Sequence, residues 1–171
     1  MKQIIAMGGG RFNVGGDHDL METYLLSVSG KSIPAICFLG TASGDSPDYL
    51  ISFYQAFSSK PCSLSHLPLI SPIKMDLEDF LLQQDIILVG GGNTKNMLAL
   101  WREWHVDEIL LHCYDAGTVL AGWSAGAICW FEQGVTDSIP GSLTAMDCLG
   151  WLAVVAPILI ARRNGDRPCI N

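Results

Sequence analysis

Ser124 stands at the centre of the pentad Gly122-Trp123-Ser124-Ala125-Gly126, with a glycine two residues to either side. The apolar run Thr118-Val119-Leu120-Ala121 leads into it, and residues 125–131 can start a helix behind it. A sharp turn from strand to helix leaves no room for side chains at i−2 and i+2, and it lifts the central hydroxyl clear of the strand's carboxyl end. A hydroxyl placed there can attack a carbonyl carbon. The same glycines could also serve a plain turn, so the pentad needs the rest of the chain to interpret it.

A second glycine cluster offers the complementary chemistry. Gly90-Gly91-Gly92-Asn93-Thr94 follows the apolar run 85–89 and precedes a helical pattern. Backbone N–H groups of Gly91 or Gly92, unscreened by side chains, would point outward there, and with the N–H of Ala125 could hold an oxyanion. Asn93 or Thr94 supplies the cap of the following helix, which a glycine-assisted strand exit would need even without catalysis. The glycine loops at residues 8–11 and 40–45 are poor phosphate cradles. Asn13 stands where G-x-G-x-x-G needs its third glycine, and residues 10–16 lack the P-loop lysine.

The elements that must position these loops alternate between apolar runs and helical spacing. Strands are expected at 3–7, 33–39, 62–67, 85–89 and 118–121, with helices at 19–28, 47–57, 75–83, from the 93/94 cap onward, and 106–114. Strands apolar throughout, separated by helices, predict an α/β fold with a doubly wound, mostly parallel sheet covered on both faces. Ligands of such sheets gather outside the strands' carboxyl ends, where all four loops fall. The 171 residues read as a single domain, with no linker or repeat.

Composition excludes several function classes. With 49% hydrophobic and 16% charged residues the chain is globular rather than disordered. A net charge of −7 argues against nucleic acid or an anionic membrane as partner. The five apolar-leaning residues before Gly8 are too short for a signal peptide or a membrane span, which leads us to expect a cytoplasmic protein. Cys37, Cys62, Cys113, Cys129, Cys148 and Cys169 form no C-x-x-C pair, so buried free thiols are expected, with no metal and no cofactor.

Taken together, Gly90-Gly91-Gly92-Asn93-Thr94 with Asn96 and Leu98, residues Ala121 to Ala127, and Gly40-Thr41-Ala42-Ser43 resemble the serine peptidases of the peptidase E type, peptidase family S51. That family includes aspartyl dipeptidase and cyanophycinase. The resemblance runs from Met1 to about Leu152. It implies a class I glutamine amidotransferase-like, flavodoxin-like three-layer sandwich with serine in place of the nucleophilic cysteine. It further implies that Ser124 is the nucleophile, that Gly91 or Gly92 with Ala125 supplies the oxyanion donors, and that a short peptide, such as an N-terminal Asp dipeptide, is the substrate. Asn93 and Thr94 are candidate substrate contacts. Asp137, in Thr136-Asp137-Ser138, best matches the acid that orients the histidine, although it could equally be a turn carboxylate beside Pro140.

The resemblance also implies a histidine some three dozen residues after the serine, and this chain has none there. His18, His66, His105 and His112 all precede Ser124, and of these only His18 lies beside a glycine loop. Residues 153–171 depart from the family pattern. Read with a two-base offset from Ala153, the fixed bases of their codons permit Gly-Ser-Cys-Pro-His-Phe-Asp-Ser-Glu-Glu, which contains the missing Pro-His stretch. A change of reading frame near Leu152 and Ala153 is therefore expected, leaving the domain incomplete, an apolar edge open to pairing as a homodimer, and activity low or absent. The competing reading is a divergent terminal strand, since residues 154–160 have β character.

Overall fold

The computed structural model describes residues 2–8, 12, 20–71 and 74–157. Gly9, Gly10, Arg11, His18 and the tail beyond residue 157, with Cys169, lie outside the described residues.

Five strands, β1 (Ile4–Met7), β2 (Ala35–Leu39), β3 (Ser63–His66), β4 (Ile86–Val89) and β5 (Val119–Trp123), form one parallel sheet in the order β1-β5-β4-β2-β3. Alternation along each strand sends side chains to opposite faces. Cys37, Leu39, Ile87, Val89 and Leu120 pack on one face with α4 (Thr94–Glu103) and α5 (Val106–Ala116), through Met97, Trp101 and Leu110. Ile36, Phe38, Leu88, Ala121 and Trp123 pack on the other with α1 (Leu20–Ser27) and α2 (Pro47–Phe57), through Leu25, Phe53 and Phe57. The short α3 (Leu77–Leu82) lies beside α5, capped by Asp76, whose carboxylate accepts from the Asp79 N–H at 3.0 Å. The expected doubly wound α/β sheet is present.

Beyond the sheet the structure departs from expectation. The helix behind Ser124, α6 (Ala125–Ile128), ends before Phe131, and Phe131–Thr136 is instead a strand, β6. Carbonyls that would continue the helix are already occupied. Leu149 N–H donates to Cys129 O, Trp151 N–H to Trp130 O and Gly150 N–H to Phe131 O, each at 2.9 Å. Strand β6 pairs antiparallel with β7 (Thr144–Asp147) and parallel with β8 (Leu152–Pro157), giving a second, three-stranded sheet. Trp130 sits at the junction, packed on Trp101 and Trp151. No helix among the described residues is long and apolar enough to cross a membrane.

Candidate active site

Backbone crowding builds the turn at Ser124. A Cβ on Gly122 would overlap the carbonyl oxygen of Gly126 and lie 2.8 Å from Val89 O, and one on Gly126 would overlap Val89 O and lie 2.7 Å from Val89 C. Only glycine fits at either position. Between them Ser124 takes φ 54° and ψ −118°, a left-handed backbone that residues with side chains rarely adopt and that costs on the order of 1–3 kcal/mol. The turn therefore holds a strained, partly exposed serine directly after β5, and no described residue hydrogen-bonds its hydroxyl.

The glycine loop closes on this serine from β4. A Cβ on Gly91 would lie 3.1 Å from Ser124 Cβ and 3.5 Å from its Oγ, so the bare α-carbon of Gly91 makes room for the hydroxyl. Gly92 has φ 141°, and a Cβ there would overlap the Ala42 carbonyl. Asn93 N–H donates to that same carbonyl at 2.7 Å, which seats the loop on the 3₁₀ turn Thr41–Ser43. Among the described residues nothing accepts a hydrogen bond from the N–H of Gly91, Gly92 or Ala125. Two of these donors belong to residues beside Ser124, Gly91 across the turn and Ala125 next in the chain, and Gly92 follows Gly91 in the same loop.

Asn93 caps α4, its Oδ1 accepting from the Asn96 N–H at 2.9 Å while its Nδ2 donates to Ser138 O at 2.9 Å. Thr94 is fully buried, with its Oγ1 3.3 Å from that of Thr136. Both side chains hold the loop in place, and burial keeps the Thr94 hydroxyl out of reach of a bound molecule. Asp137 follows β6, exposed, with no hydrogen bond or ion pair to described residues. Thr136 and Ser138, which the sequence reading passed over, make the contacts on either side of it.

The described histidines stand apart from Ser124. His66 ends β3, three strands from β5, or about 14 Å at ordinary strand spacing. Its Nδ1 is 2.8 Å from Tyr54 Oη. His105 and His112 are exposed on the α5 side and face Glu108 at 3.5 Å and Glu78 at 2.8 Å. The Gly40 loop is held at its far end by Asp45, whose Oδ2 accepts from Leu69 and Ile70 N–H at 2.8 and 2.9 Å.

The sequence model of peptidase family S51 matches residues 4–156. An uncharacterized peptidase of Bacillus subtilis strain 168, YgaJ, is 53% identical over 152 residues, which cover 89% of this chain and 66% of the relative. Among solved structures, a Listeria monocytogenes EGD-e protein named for peptidase E superposes with a TM-score of 0.61 at 21% identity, covering 78% of this chain and 70% of that one. A peptidase from an acI-B1 actinobacterium superposes with a TM-score of 0.63 at 16% identity, covering 86% and 63%. The chain spans about two-thirds of the length of these proteins. With its family match extending from β1 into β8, the chain belongs to peptidase family S51.

Proposed function

We propose that the site is that of a serine-type peptidase acting on short peptides, N-terminal Asp dipeptides among them, through an acyl-enzyme on Ser124. Ser124 Oγ attacks the scissile carbonyl, and the oxyanion that forms is received by the N–H of Ala125 with that of Gly91 or Gly92. Collapse of the intermediate expels the amine and leaves the acyl group on Oγ for water to remove. The observation that carries this reading is the strained backbone of Ser124 between two glycines that admit no side chain, facing the bare Gly91.

The proton on Ser124 needs an acceptor within hydrogen-bond reach. Family resemblance assigns that task to a histidine oriented by an acid, here Asp137, but His66, His105 and His112 are committed elsewhere. Turnover of this chain is accordingly far below that of a longer relative. Hydrolysis of Asp-containing dipeptides, measured beside the Bacillus relative, tests this. A large deficit is expected, whereas matching turnover that is lost in Ser124→Ala would contradict this reading. The second reading, a non-catalytic binding domain with the same fold, is favoured by those histidine placements. It would be preferred if dipeptides bound without any hydrolysis or acylation.

A further inference from the structure

We infer that Ser138, together with Thr136, is a positioning residue that fixes the Gly91–Gly92 loop against the strand end bearing Asp137. This rests on the reading of Gly91 and Gly92 as oxyanion donors, and it extends that reading to residues more than 40 positions further along the chain.

The first turn of a helix leaves backbone N–H groups without partners. In α4 two of these are satisfied by side chains from two sources. Asn93, the residue immediately before the helix, serves Asn96 N–H, and Ser138 Oγ accepts from Lys95 N–H at 3.2 Å. The helix start is thus capped both by its own neighbour and by the end of the second sheet. A hydroxyl chain ties the two together. Thr94 Oγ1 lies 3.3 Å from Thr136 Oγ1, which lies 2.8 Å from Ser138 Oγ and accepts from Ser138 N–H at 3.2 Å. Asn93 Nδ2 adds a bond to Ser138 O. Thr94 and Thr136 are 0% and 1% exposed, so water does not replace the bond between them when it is lost, whereas the bond from Lys95 N–H to Ser138 Oγ is exposed.

Gly91 and Gly92 lie between β4 and this cap. The loop is seated on one side by the Ala42 carbonyl and on the other by Thr136 and Ser138. The same two residues bracket Asp137 in the chain, so the loop and the acid-bearing segment form one hydrogen-bonded block. Free movement of either would draw the other with it.

The test compares Ser138→Ala with Ser138→Thr, which keeps the hydroxyl. In hydrogen exchange read by mass spectrometry, the alanine variant should exchange residues 90–96 about fivefold faster or more, the effect of losing one cap. Exchange over α5 should stay unchanged, and the threonine variant should behave as the parent. Phosphonate labelling of Ser124 should slow in the alanine variant and recover in the threonine variant. Unchanged exchange at 90–96, equal acceleration over α5, or no rescue by threonine overturns the inference. So does labelling that is unaffected by the alanine change in a parent that labels. If the parent itself fails to label, the proposed nucleophile falls, and exchange alone decides whether Ser138 holds the loop.

Discussion

Gly91 turns its bare α-carbon toward Ser124, so that a single added methyl would stand 3.5 Å from the serine Oγ. Ser124 and the Gly91 loop are therefore neighbours through an absence of side chain. Gly91→Ala should cost about 1 kcal/mol of stability, since the neighbours need yield only a few tenths of an ångström. It should slow acylation of Ser124 about tenfold or more, by crowding the hydroxyl and displacing a donor. Thermal melting and labelling rates together check this, and an unaltered rate would separate Gly91 from the reaction.

Gly122→Ala and Gly126→Ala should be more damaging to the fold itself. Each places a methyl group inside a backbone carbonyl. The turn must open, at a cost of at least about 2 kcal/mol. Urea denaturation of the two variants gives the number, and a loss below about 0.5 kcal/mol would mean that the turn has slack we do not see.

Asp137 is exposed and unpaired among the described residues. If its role is to orient a histidine, the role is idle as far as the described histidines go, since His66, His105 and His112 are paired elsewhere. Asp137→Asn should then leave both melting and Ser124 labelling within about twofold of the parent. A large fall in labelling would show that the carboxylate acts on the serine directly.

The buried thiols predict an alkaline limit to stability. Burial raises Cys37 to about 12 and Cys113 to about 11 from an ordinary 9.0, and raises Cys129 strongly as well. Below pH 9 these groups are protonated in both the folded and unfolded states and have no effect on folding. From pH 9 to 11 or 12 the unfolded chain releases protons that the folded chain keeps, so stability falls as pH rises. Urea midpoints at pH 8.5 and 10.5 should show the fall, and Cys37→Ala should reduce it. Equal midpoints in the parent would contradict the burial effect.

Much of this was legible in the chain itself. The central strands β2, β4 and β5 announced themselves because burial on both faces demands apolar runs, as in Ile86–Val89. The turn at Ser124 was legible because glycine is required two residues to either side. Strand β6 was not, because Ala127 to Phe131 reads as helix until residues 149–152 claim its carbonyls, which only tertiary contact reveals. The Thr136–Ser138 clamp was hidden for the same reason. Its partners, Asn93, Thr94 and Lys95, are separated from it by 42 to 45 positions. The offset reading of residues 153–162 concerns the codons, and the nucleotide sequence decides it. Codons compatible with Pro-His at the two-base offset are expected, and incompatible codons remove the proposal.

The most direct measurement is the covalent one. The parent chain and Ser124→Ala are incubated with a serine-reactive phosphonate, then digested, and the adduct is located by peptide mass spectrometry. The account predicts a single adduct on Ser124, formed slowly because the described histidines are paired elsewhere, and absent from the alanine variant. No adduct at all, or one that persists in Ser124→Ala, would contradict the assignment of Ser124 as the nucleophile.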